Sequence, residues 1–114
     1  MSTSALKGHC LCKAIQYTVD GDPLWCAHCH CADCRRHTGS AVATFVGVPR
    51  TAVTLNSGAF GRIESSPGVY RSFCSGCGTP MAYERDDLPG EIHLYLGTLE
   101  KPEDTHPTLE VFCR

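Results

Sequence analysis

Seven of the nine cysteines lie in three short clusters: Cys10-Leu11-Cys12, Cys29-His30-Cys31-Ala32-Asp33-Cys34 and Cys74-Ser75-Gly76-Cys77-Gly78. Thiolates two or three residues apart converge on one ion from a single tight turn. Zinc takes four soft donors, so each pair needs a second pair from elsewhere in the chain. Four ligands close a structural site, and three leave a position where chemistry can occur. The outer clusters together supply Cys10, Cys12, Cys74 and Cys77, a closed set. The middle cluster supplies Cys29, Cys31 and Cys34, an open one. Zn2+ is therefore the expected cofactor, at one structural and one catalytic site.

The Cys74 to Gly78 run has the form of a zinc knuckle. Small residues let the backbone curl so that amides face the sulfurs, and Gly78 can take the positive φ that closes the turn. A thioredoxin-like redox pair would need a βαβ setting, which the chain lacks. The middle cluster sits among polar groups (His28, His30, Asp33, Arg35, Arg36, His37) that a purely architectural clamp does not require. Arg35 and Arg36 could offset the net negative charge of three thiolates on zinc, or hold the carboxylates of an anionic ligand. The vacant position could take water or the sulfur of a small thiol, which a metal would hold as thiolate at neutral pH. Cys26 is also spaced CxxC from Cys29 and could close this site, although Trp25-Cys26-Ala27 reads as buried strand. His28, His30 or His37 could complete the set instead. Cys113 has no partner in sequence, and its default role is a core or reactive thiol.

The elements that position these residues read as all-β. The 114 residues are the length of one domain, 1–114, near the size at which a hydrophobic core alone is a thin source of stability. Ala14 to Val19 alternates Ile15, Tyr17 and Val19 against Gln16 and Thr18, the period of a half-buried strand, and predicts the first strand. Further strands are expected at Ala41 to Val48, Val53 to Leu55, Val69 to Phe73, Met81 to Tyr83 and Ile92 to Leu96. The best helical window, Ala32 to His37, is about two turns at most. Eleven glycines and seven prolines supply many tight turns.

Composition excludes several classes. Nine cysteines would suit a disulfide scaffold, but their odd number, their CxC and CxxC spacings and an N-terminus without an apolar signal region argue against one. With a net charge of -2 and scattered basic residues there is no electrostatic footprint for nucleic acid. The longest apolar stretch is too short to cross a bilayer. A soluble protein with free thiols is expected to be intracellular, in the cytoplasm.

The run Gly8-x-Cys10-x-Cys12, then Cys29 to Ser40, then Phe73-Cys74-Ser75-Gly76-Cys77-Gly78-Thr79-Pro80, resembles the glutathione-dependent formaldehyde-activating enzyme (Gfa) family, or CENP-V/GFA domain, over residues 8 to about 96. The resemblance implies a small β-tent, Mss4-like fold of short antiparallel strands binding two zinc ions, four cysteines structural and three catalytic. It also implies a carbon-sulfur lyase activity that joins formaldehyde to glutathione as S-hydroxymethylglutathione. Glutathione, or another small thiol, and a small aldehyde are then the partners. On that mechanism the thiol attacks the aldehyde beside Cys29, Cys31 and Cys34, and His30 or His37 protonates the carbonyl oxygen. Adjacency puts Arg35, Arg36, Thr38 and Gly39 near the tripeptide. Many members carry a histidine where this chain has Glu110 and continue into a Trp-containing tail beyond Arg114, departures that suit a truncated or diverged member.

Two rivals accompany the lyase reading. One is a non-catalytic zinc module that binds a small thiol or a protein partner. The other is a redox sensor, in which Cys29, Cys31 and Cys34 form disulfides without loss of fold.

Overall fold

The computed structural model describes residues 6–105 and 109–111. In chain order the elements are β1 (Leu6–His9), β2 (Gln16–Val19), β3 (Trp25–Cys29), α1 (Ala32–Thr38), β4 (Ala43–Pro49), β5 (Val53–Ser57), β6 (Gly61–Ser66), β7 (Val69–Phe73), β8 (Pro80–Arg85), β9 (Glu91–Tyr95) and β10 (Leu109–Val111). Short 3-10 turns occupy Arg50–Ala52, Leu96–Thr98 and Pro102–Asp104. The expectation for Cys113 lies outside the described residues.

Two sheets form, a three-stranded one in the order β1-β2-β5 and a seven-stranded one in the order β10-β3-β4-β9-β8-β7-β6. The mainly antiparallel β-tent is as expected, with one difference: β10 lies parallel to β3. The alternating segment expected as the first strand is the second. Leu6–His9 precedes it and pairs with it, Gly8 opposite Tyr17. That strand gives little sequence signal because one of its inward positions is a glycine. The vacancy is used: a Cβ on Gly8 would stand 2.3 Å from the Tyr17 ring. β6 is also unannounced, since Arg62, Ile63, Glu64 and Ser65 on this edge strand are all exposed and no apolar alternation marks them.

Strand parity divides the interior. Ile15, Tyr17 and Val19 from the small sheet pack with Cys26, Val46, Val48, Ile92 and Leu94 from the large one, and Cys10 and Cys74 belong to the same cluster. The intervening positions of β3, β4 and β9 gather in a second cluster of Cys29, Cys31, Cys34, Ala43, Phe45 and Tyr95, with Trp25 and Tyr83 packed on it. Successive side chains of a strand point to opposite faces, so the two clusters lie on opposite faces of the large sheet.

On the second face the register sets residues in rows. Trp25 pairs with Gly47, Gly47 with His93, His93 with Tyr83, and Tyr83 with Arg71, a line across five strands. Ala27, Phe45 and Tyr95 form the neighbouring row. Gly47 is required there, because a Cβ would meet the Trp25 indole at 2.1 Å. The indole consequently lies over the glycine and edge-on to His93, with ring centroids 4.5 Å apart.

Candidate functional site

The four outer cysteines converge through two interlocked turns. Between β1 and β2 the chain doubles back with Cys10 N bonded to Ile15 O at 3.1 Å and Lys13 in the left-handed region at φ 67°. After β7, Cys74 N bonds to Thr79 O at 2.9 Å and Gly78, at φ 82°, returns its amide to Cys74 O at 2.7 Å. Thr79 fastens the turns together, its Oγ1 accepting from Leu11 N at 3.0 Å and standing 3.1 Å from Cys77 Sγ. Toward a thiolate, which can only accept, the hydroxyl would be the donor.

The Sγ atoms of Cys10, Cys12, Cys74 and Cys77 all lie within 4.8 Å of one another. The Cys10–Cys12 and Cys12–Cys74 separations are 3.6 and 3.8 Å. A tetrahedron with bonds of 2.3 Å to sulfur has edges of roughly 3.8 Å, whereas a disulfide closes to about 2.05 Å. The donor set therefore fits a tetrahedral soft ion. Its sulfurs are unequal. The Thr79 hydroxyl and amide hold the Cys77 thiol down at about 5. Cys12, although the Ala14 amide lowers it, is pushed up to about 11 by the sulfurs of Cys10 and Cys77.

The middle cluster is built at the junction of β3 and α1. Cys29 ends the strand, and Cys31 is the N-cap of the helix, its sulfur accepting from Cys34 N at 3.3 Å where a serine or aspartate oxygen would ordinarily serve. Gly39, at φ 72°, closes the other end by donating to Arg35 O. The Cys29 and Cys34 sulfurs are 3.4 Å apart, and all three sulfurs lie within 4.8 Å of one another. This set too can hold a metal ion, with three donors.

Cys26 is not among them. It is a neighbour of that strand's opposite face and packs in the other cluster, where burial pushes its thiol up. The alternative of Cys26 closing the second site is thus opposed by strand parity.

Sequence reasoning missed the residues that surround the three sulfurs. Arg71, 3% exposed, donates from Nη1 to Cys34 Sγ at 3.4 Å and from Nε to Ser65 Oγ at 3.0 Å. Its guanidinium carbon stands 4.9 Å from the Tyr83 ring centroid. Among the described residues no carboxylate pairs with it, so the sulfurs are its counter-charge. Burial and the neighbouring sulfurs drive the Cys34 thiol up against the pull of Arg71. Cys31, despite burial, is lowered by its bonds from Cys34 and by the Arg71 charge. The Tyr95 hydroxyl and His37 Nε2 are buried with no hydrogen-bond partner among the described residues, and their rings are 5.7 Å apart. Burial and the Arg71 charge depress His37.

Two cavities adjoin this face. One of about 110 Å3 is bounded by the three sulfurs on one side and by Trp25, Ala27, Phe45, Tyr83, Arg85 and His93 on the others. The other, about 460 Å3, runs past Thr38, Ala43, Thr79, Tyr95 and Thr98. The larger falls within the roughly 300–1,000 Å3 of ligand clefts.

Of the residues expected to contact substrate, Thr38 lines the larger cavity while its hydroxyl donates to Cys34 O at 2.8 Å. Gly39 is the exposed helix cap next to it, and Arg35 and Arg36 are exposed on α1. His30 is half-buried between β3 and α1 and lines neither cavity. No helix among the described residues is long and apolar enough to cross a membrane.

A small β domain with one four-sulfur cluster and one cavity-facing three-sulfur cluster is the class these observations define. Residues 5–114 match the sequence profile of the glutathione-dependent formaldehyde-activating enzyme family, and the chain belongs to that family. A curated protein of Talaromyces marneffei bearing the family's name is 31% identical over 75 residues, 64% of this chain. The match covers 40% of that relative, so the chain spans about two fifths of its length. The fold is shared with a Rhodobacter sphaeroides protein of known crystal structure, at a TM-score of 0.74 and 24% identity over 92% of this chain and 99% of that one.

Proposed function

We propose that the protein is a zinc-dependent carbon-sulfur lyase that forms or cleaves the adduct of glutathione, or a similar small thiol, with formaldehyde or a related aldehyde. The observation that carries this reading is the convergence of three thiols on the wall of a cavity, while the other four close on themselves. Cys10, Cys12, Cys74 and Cys77 would hold a structural ion. Cys29, Cys31 and Cys34 would hold the catalytic one, which when bound supplies the acidity that makes an entering thiol a nucleophile at neutral pH.

The chain's own residues account for the rest. Arg71 balances the charge of the three sulfurs from within the protein, where no water can do so. The rings of Trp25, Phe45 and Tyr83 line the smaller cavity and would limit water beside the carbonyl, favouring addition over hydration. Thr38 borders the space for the tripeptide, with Gly39 next to it in the chain, and Arg35 and Arg36, unburied and one turn away, suit its carboxylates. In the addition the thiol sulfur bonds to the carbonyl carbon and a proton reaches the oxygen. Of the two histidines expected to deliver it, neither lines a cavity, and His37 has the stronger support, since its ring stands 5.7 Å from Tyr95, which does, and its Nε2 is buried with no partner among the described residues.

Metal analysis and turnover test the proposal together. Two zinc ions per chain and S-hydroxymethylglutathione formation from glutathione and formaldehyde are expected. One zinc per chain with no thiol-aldehyde turnover would reject it.

A further inference from the structure

The cavity beside Cys29, Cys31 and Cys34 is roomier than a one-carbon carbonyl requires. Its volume of about 110 Å3 compares with the roughly 150 Å3 engineered hole that accepts benzene. Away from the sulfurs, two of its polar members are already engaged elsewhere: His93 Nε2 with Glu91 Oε1 at 3.1 Å, and Arg85 Nε with Asp87 Oδ1 at 2.8 Å. Burial also depresses His93 against the pull of Glu91, which disfavours the charged ring. Trp25, Phe45 and Tyr83 supply the remaining wall, stacked through His93, whose ring is 5.4 Å from Tyr83 and edge-on to Trp25. A water there would find few of the two to four partners it needs.

We infer that the electrophile is an aldehyde bearing a short apolar chain of about two to four carbons, seated between Trp25, Phe45, Tyr83 and His93 with its carbonyl toward the three sulfurs. The inference rests on the lyase reading and specifies its substrate. The step balances without an oxidant: a carbon-sulfur bond forms, the carbonyl π pair moves to oxygen, and the thiol's proton ends on that oxygen. The product is an S-(1-hydroxyalkyl) adduct, and the reverse reaction expels the thiol.

The test is a homologous series, acetaldehyde to hexanal, each with glutathione and the zinc-loaded protein. Each methylene buried should raise kcat/KM about fourfold, equivalent to about 0.8 kcal/mol, so that butanal exceeds acetaldehyde by roughly 15-fold. Hexanal, which overfills the space, should fall back. In Ala27→Val, which narrows the cavity, the butanal-to-acetaldehyde ratio should collapse toward one. If that variant does not fold, Phe45→Leu must move the optimum to a longer chain.

A flat or descending series, with formaldehyde still turned over, overturns the inference and leaves the lyase reading standing. If no aldehyde reacts, the lyase reading falls, and the pocket is judged separately through Trp25, the chain's one tryptophan. A saturable change in its emission with 1-butanol, lost in the same variant, keeps the apolar pocket; no change overturns that too.

Discussion

The two sulfur clusters solve the same problem of charge in opposite ways. Four thiolates around a divalent ion carry a net charge of about -2, three carry about -1. The four-sulfur cluster is met by neutral donors, the Ile15 amide on Cys10 and the Thr79 hydroxyl on Cys77, and Cys12 lies in solvent. The three-sulfur cluster is drier, with Cys34 2% exposed, and is given a whole buried cation, Arg71. With a divalent ion on the three thiolates, the one positive charge of Arg71 would leave that site neutral before any ligand arrives. On the proposed division of roles, the cluster that accepts a ligand would be balanced internally, while the one that holds the chain together would leave its surplus to water.

The largest break in this comparison is expected from Cys77→Ser. Structural metal binding is folding free energy, about 10–16 kcal/mol in small zinc domains, so loss of one of four ligands should abolish the cooperative thermal transition seen by circular dichroism. Cys31→Ser should keep that transition yet lose more than about 100-fold in turnover, beyond the 10–100-fold typical of losing an outer partner. If both variants unfold alike, or both stay folded and active, the division into structural and catalytic clusters is wrong.

Arg71→Met sharpens the comparison further. Chelator competition should show metal affinity about 10–100-fold weaker at the three-sulfur cluster alone, with Arg71→Lys intermediate. Equal loss at both clusters would remove the charge argument. Thr79→Ala, the counterpart on the other cluster, deletes the hydroxyl's two hydrogen bonds, with Leu11 N and Cys77 Sγ, and should cost only about 2 kcal/mol in denaturant unfolding. A larger cost than that of Arg71→Met would reverse the ranking of the two partners.

The cysteine partition was legible because its signals are local. CxC and CxxC each fit within one turn, and the glycine at 78 marks the reversal it makes. The strands with alternating residues, β2, β4, β7, β8 and β9, were legible for the same reason. Arg71, Tyr83, His93 and Trp25 were not, because what unites them is cross-strand register among residues up to 68 positions apart, as from Trp25 to His93. The adjacent basic pair Arg35-Arg36 drew the sequence reading, yet the cation on the sulfur comes from β7. Glycines at 8 and 47 looked like punctuation and are instead seats for aromatic rings.

Strand parity has one more effect. Cys26 and Cys29 are three positions apart on β3 and face away from each other, so a hydrogen-bonded layer of backbone separates the two thiol populations. An oxidant or electrophile that enters by the aromatic cavity encounters only its own three sulfurs. The clasp on the far side is reached by a different route, through solvent at Cys12.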